Sequence, residues 1–181
     1  MGEITQSHPQ PRPHSERQAL IRERLAAKPD GVLEAIARDL GVPTQLVLEA
    51  CPPEQRIFVA PDAFEQVWAE MTGWGAVTFI VHTPDIVLEC VGPLPAGTNA
   101  MGYFNIHGDS PIGGHIKAVN CRAIYIVDRL FHGRRSCSVQ VFNADGEAMF
   151  KVFVRRDEKR ELVAAQLAQF ESFKAGRLAC G

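Results

Sequence analysis

Two histidines stand where they could do chemistry. His82 closes the run Val77-Thr78-Phe79-Ile80-Val81-His82, and His115 follows Gly113-Gly114 and opens Ile116-Lys117-Ala118. Each would ride on a strand. Neither has a nearby cysteine pair, a His-Glu-x-x-His arrangement or a carboxylate cluster, so the surroundings suit zinc poorly. Imidazole is a common protein donor to haem iron, and the glycine pair before His115 removes side-chain bulk where a porphyrin edge would pass. Each ring also has a plain structural reading. His115 would be a strand-end histidine bonded to a loop carbonyl, and His82 a satisfied neighbour of the Thr83-Pro84-Asp85 turn. Convergence of the two rings is a tertiary property that spacing leaves open.

Other candidates are weaker. Tyr125 is a strand tyrosine, and a tyrosinate can ligate ferric haem. Lys117, Lys151, Arg134 and Arg135 could pair with the propionate carboxylates of a haem, a geometry that favours arginine. His107 reads as a solvated loop residue, and His8, His14 and His132 as bystanders. Ser136-Cys137-Ser138 has no histidine nearby in sequence, and neither G-x-S-x-G nor a phosphate-cradling glycine loop occurs. Nothing in the pattern requires an enzyme.

The elements that must hold these residues belong to a chain of 181 residues, the size of one domain. Apolar residues make up 46% and charged residues 22%, an ordinary globular composition. A formal charge of −2 carries no polybasic signature for nucleic acid or anionic membrane. The five cysteines are widely and irregularly spaced, without C-x-x-C, so free thiols are expected. No signal peptide or membrane span is read, and the expected location is the cytoplasm.

Residues 1–14, with Pro9, Pro11 and Pro13, are expected to form a disordered arm, leaving 15–181 as a single domain. Its helical part extends to about residue 74. Helices are predicted over 15–27, 32–40 (stopped by Gly41) and 44–51. The last two resemble a helix-turn-helix, but the second carries no basic residue, which argues against DNA binding. A fourth helix, capped by Asp62, places Phe64, Val67, Trp68 and Met71 on one stripe. From 75 to 154 the period changes to two, predicting antiparallel strands at 76–82, 86–91, 102–106, 114–119, 123–127, 136–142 and 148–154. Asp157 is expected to cap a final helix over 157–174. The order predicts an α+β fold in which an antiparallel meander packs with N-terminal helices and a C-terminal helix. Thr78, Ile80 and His82 share one face of their strand. In the last strand Ala148, Phe150, Val152 and Val154 form a core face, opposite an amphipathic set of Met149, Lys151 and Phe153. A mixed face of this kind is a candidate binding floor.

Ordered blocks along nearly the whole chain resemble the HutX/ChuX family of cytosolic haem-utilisation carriers. They include Trp74-Gly75-x-Val77-Thr78, Val81-His82-Thr83-x-Asp85, Gly102-Tyr103-Phe104-Asn105, Gly114-His115-Ile116-Lys117-Ala118-x-Asn120-Cys121 and Ala148-Met149-Phe150-Lys151. The resemblance implies the haem-utilisation fold, a homodimer, and haem binding in the bacterial cytoplasm with delivery to a haem-degrading enzyme. It also implies His82 and His115 as iron ligands, with Tyr125 as the alternative in some members; all three are present, so the ligand set stays open. The expectation is therefore a carrier without catalytic residues. A haem-cleaving enzyme would need an electron source for which no flavin or nicotinamide motif is seen. A haem-responsive regulator would need basic residues that the N-terminal helices lack.

Overall fold

A computed structural model describes residues 14–178. The expected disordered arm lies almost wholly outside the described residues. Among the described residues there are five α-helices: α1 (His14–Ala27), α2 (Leu33–Leu40), α3 (Thr44–Glu49), α4 (Phe64–Thr72) and α5 (Ala164–Leu178). Nine strands accompany them: β1 (Arg56–Val59), β2 (Ala76–His82), β3 (Val87–Pro93), β4 (Gly97–Ala100), β5 (Tyr103–Ile106), β6 (Gly114–Ile116), β7 (Ala123–Phe131), β8 (Arg134–Phe142) and β9 (Ala148–Phe153). Gly41 ends α2 as expected, at φ 63°, where its N–H reaches back to Ala37 and Arg38 carbonyls.

The strands do not form one meander. Six build an antiparallel sheet in the order β1-β7-β8-β9-β2-β3, while β4-β5-β6 form a separate three-stranded sheet. On one face of the large sheet Val77, Ile124, Ile126, Val139, Val141, Phe150 and Val152 meet α4, α5 and the small sheet. The predicted α4 stripe lies in this core: Phe64, Val67, Trp68 and Met71 are all buried. Trp68 satisfies its indole by donating to the Pro95 carbonyl at 2.8 Å, and its ring meets Phe104 and Phe150 edge-on. On the opposite face, Ala123, Tyr125, Val127 and Phe142 are covered by the α1–α3 trio through Ile21, Leu25, Leu33, Ala37, Val47 and Leu48.

Several expected boundaries move for identifiable reasons. No side chain caps α4; Asp62 sits in a 3-10 turn, Pro61–Ala63, that precedes it. Asp157 does not cap α5 either. Its Oδ1 accepts from the backbone N–H groups of Lys159 and Glu161, closing a turn held by the Arg156–Leu162 bridge. Ala148 is not on the core face with Phe150, because the β8–β9 register shifts at Val141/Phe142. The shift sends Ala148 to the helical trio, and Met149 packs on the core side.

Candidate functional site

The helical trio covers only part of its sheet face. The remainder is a cavity of about 540 Å³ whose floor is Thr78, Ile80 and His82 of β2, Ser138 and Gln140 of β8, and Lys151 and Phe153 of β9. That size is typical of sites for small organic ligands. The floor follows from strand register: Thr78 pairs with Phe153 and Ile80 with Lys151, so alternate side chains of neighbouring strands rise on the same side. The expected face of Thr78, Ile80 and His82 is thus on the floor, together with Lys151 and Phe153.

Polar groups interrupt this floor in specific places. The Glu34 carboxylate, in the first turn of α2, forms an ion pair with Lys151 and lies 3.6 Å from Nδ1 of His82. Burial pulls the Lys151 ammonium down to about 8, and the adjacent carboxylate favours its charged form. Arg129, Arg155 and Arg156 add cationic groups to the lining. Arg129 is 7% exposed; its Nη2 donates to the Pro29 and Gly31 carbonyls at 2.8 and 3.0 Å, while its Nε has no hydrogen-bond partner. The wall therefore combines an imidazole, an apolar surface and guanidinium groups.

His115 lies elsewhere. It lines a separate recess of about 310 Å³ with Phe79, Val81, Ile112, Lys117 and Met149. Phe79 and Val81 point to the face of β2 opposite that of Ile80 and His82, so the two histidines open on opposite sides of the sheet. Its ring is exposed, and its Nδ1 lies 2.7 Å from Oδ1 of Asn105. Tyr103 packs edge-on against that ring, with Lys117 Nζ 5.5 Å from the centre of the tyrosine ring.

The remaining candidates are placed away from both recesses. Tyr125 is buried under the helical trio and donates its hydroxyl to Glu49 Oε1 at 2.6 Å. Burial and the Glu49 carboxylate both push its pKa up, opposing a tyrosinate. Arg135 gives its fork to Asp128, at 2.8 and 2.7 Å, and also contacts Glu171; Arg134 donates to the Arg160 carbonyl. Neither lines the cavity. Among the described residues no group of three His, Cys, Asp or Glu side chains is arranged to hold a bare metal ion, and no helix is long and apolar enough to cross a membrane.

Glu34 and Arg129 were not singled out by sequence reasoning, and Asn105 stood only inside the block Gly102-Tyr103-Phe104-Asn105, with no role assigned. Asn105 lies directly opposite His115 in the β5–β6 ladder, a pairing that spacing along the chain does not announce. Glu34 is equally hidden, since its neighbours His82 and Lys151 are 48 and 117 residues further along the chain.

Comparison with known proteins follows the same lines. The sequence pattern described as haem utilisation ChuX/HutX matches residues 57–173. The intracellular haem transport protein HutX of Vibrio cholerae is 32% identical over 158 residues, covering 87% of this chain and 82% of that one. A crystallised protein from Agrobacterium tumefaciens is 54% identical with a TM-score of 0.83, covering 90% of this chain and 92% of that one. The haem-binding protein ChuX is 38% identical with a TM-score of 0.78, at 86% and 97% coverage.

Proposed function

Since the chain belongs to the haem utilisation ChuX/HutX family, we propose that it is an intracellular haem carrier, which binds haem as cargo and passes it on without cleaving it. The observation that carries this reading to a particular site is the His82 cavity. A flat apolar ring bearing an iron and two carboxylates needs an apolar bed, a nitrogen donor and cations, and these line one recess of about 540 Å³. In this reading His82 is the iron ligand, Ile80 and Phe153 are the bed, and Arg129, Arg155 and Arg156 receive the propionates.

His115 enters the same reading through a second copy of the chain. One iron cannot take both imidazoles from a single chain when they open on opposite faces of its sheet. A homodimer in which His115 of one chain reaches the His82 cavity of the other would supply both. The free edge of the large sheet supports such an assembly: β3 exposes Val87, Leu88 and Val91, apolar side chains that a second copy would cover. Lys117, beside His115, would then contribute at the rim. Tyr125 has no part in iron binding. The receiving partner is a cytoplasmic haem-degrading enzyme, as the resemblance implies.

The test is a hemin titration of the purified protein, followed by visible absorption, for wild type, His82→Ala, His115→Ala and Tyr125→Phe. A saturable Soret shift near one haem per chain, altered by the histidine changes and unaffected by Tyr125→Phe, is expected. An unsaturable response, or histidine variants that behave like wild type, would remove the site.

A further inference from the structure

The family match begins at residue 57 and so leaves out α1, α2 and α3. Yet Glu34, from α2, lines the cavity. Its position is fixed from several sides. Leu33 and Ala37, its neighbours on α2, are buried at 4% and 3% exposure against the large sheet. The preceding loop is tied to β7 by Arg129, whose Nη2 holds the Pro29 and Gly31 carbonyls. Glu34 is therefore delivered to the cavity by a rigid mount, not by a free side chain at a helix end.

Its two neighbours define what it does there. Lys151 sits on the floor between Gln140 and Ile80 and is 6% exposed. An ammonium buried there without a carboxylate would be costly under an apolar ligand. The other neighbour is Nδ1 of His82, at 3.6 Å. That is longer than a hydrogen bond, so Glu34 acts on the ring by occupying its Nδ1 side. The nitrogen left for a ligand is Nε2. A carboxylate facing the Nδ1 side of an imidazole favours the ring orientation that presents Nε2 as the metal donor.

We infer that Glu34 is a positioning residue of the haem site, acting through His82, and that the helical trio is a working part of the carrier. This rests on the reading that His82 binds the haem iron. The experiment measures haem release to an excess of a high-affinity apo-haem protein, with the ferric and ferrous spectra, for wild type, Glu34→Gln, His82→Ala, Lys151→Met, and the double variants Glu34→Gln/His82→Ala and Glu34→Gln/Lys151→Met. Thermal unfolding of each checks that the fold is intact. Glu34→Gln is expected to speed release about tenfold, the usual effect of losing an outer partner of a metal-bound histidine. It should shift the ferric spectrum, and neither change should appear in the His82→Ala background. Release at the wild-type rate from folded Glu34→Gln, or the same acceleration without His82, would overturn the inference. So would full restoration by Lys151→Met, because Glu34 would then serve only the lysine. If His82→Ala alone holds haem as wild type does, the failure belongs to the underlying reading and not to Glu34.

Discussion

The amide of Asn105 decides which ring nitrogen His115 offers. Its Nδ2 donates to three carbonyls, those of Thr98, Ala100 and Tyr103, at 3.2, 3.0 and 3.0 Å. The amide is thus oriented with Oδ1 toward the ring, 2.7 Å from Nδ1. An acceptor there requires an N–H at Nδ1, which leaves the lone pair on Nε2. The same device appears at metal-bound histidines generally, where the outer partner selects the tautomer.

Asn105→Ala should therefore have two separable effects. Leaving partly buried carbonyls of the β4–β5 hairpin without a donor should cost about 1–3 kcal/mol in urea unfolding. Nitrogen-15 spectra of the imidazole should show the Nδ1–H tautomer of His115 in wild type at pH 8 and a mixture in the variant. A wild-type tautomer in Asn105→Ala would mean that something other than the amide orients the ring.

Gly97 offers a test of packing on the other side of the core. A Cβ at this position would fall within the van der Waals space of the Phe104 ring. That ring is locked edge-on against Phe64 and Trp68, with centroids 5.3 and 5.4 Å away. Gly97→Ala should then destabilise by about 1–3 kcal/mol, the usual cost of overpacking. The same measurement on Gly176→Ala is the control, since nothing lies within 4 Å of a Cβ there. Equal stability of the two variants would show that the β4–β5 hairpin yields.

Much of this site was legible in sequence, and what was not has a common cause. Alternation along β2 placed Thr78, Ile80 and His82 together, and alternation along β9 placed Lys151 with Phe153, because local periodicity fixes which side a strand residue faces. The same rule misassigned Ala148, since a bulge adds a residue that periodicity does not count. Asp157 looked like a helix cap because an aspartate before a helical pattern usually is one; here its carboxylate closes its own turn. The division into two sheets, and the roles of Glu34 and Asn105, arise from pairings between distant segments. No local pattern announces those.

Acid should weaken the fold at one defined place. Arg135 hydrogen-bonded to Asp128, helped by Lys174 at 2.6 Å and opposed by burial, holds the Asp128 carboxyl down at about 2. A folded-state pKa below the ordinary 3.8 means that the carboxylate contributes stability above about pH 4, and that this is lost as pH falls toward 2. The contribution is about 2 kcal/mol before allowance for the half-exposed Arg135 partner, which lowers it. Urea unfolding of wild type and Asp128→Asn should therefore differ at pH 6 and converge near pH 2. A gap that persists at low pH would mean that Asp128 acts by packing and not by charge.

The opposite orientation of His82 and His115 makes a prediction that neither single variant can test. If the iron is held by His82 of one chain and His115 of the other, a His82→Ala dimer and a His115→Ala dimer each lack both bridges. A mixed dimer, with one chain of each kind, keeps one intact bridge out of two. Co-purified mixed dimers carrying different affinity tags should then recover the wild-type ferric spectrum at about half the wild-type haem content. Variants that are merely blended without chain exchange should not. If mixed dimers bind no better than the two parents, the rings serve separate haem sites. His82 would then hold the cargo in the larger cavity, and His115, with its Asn105-fixed Nε2, would act at a different step of entry or release.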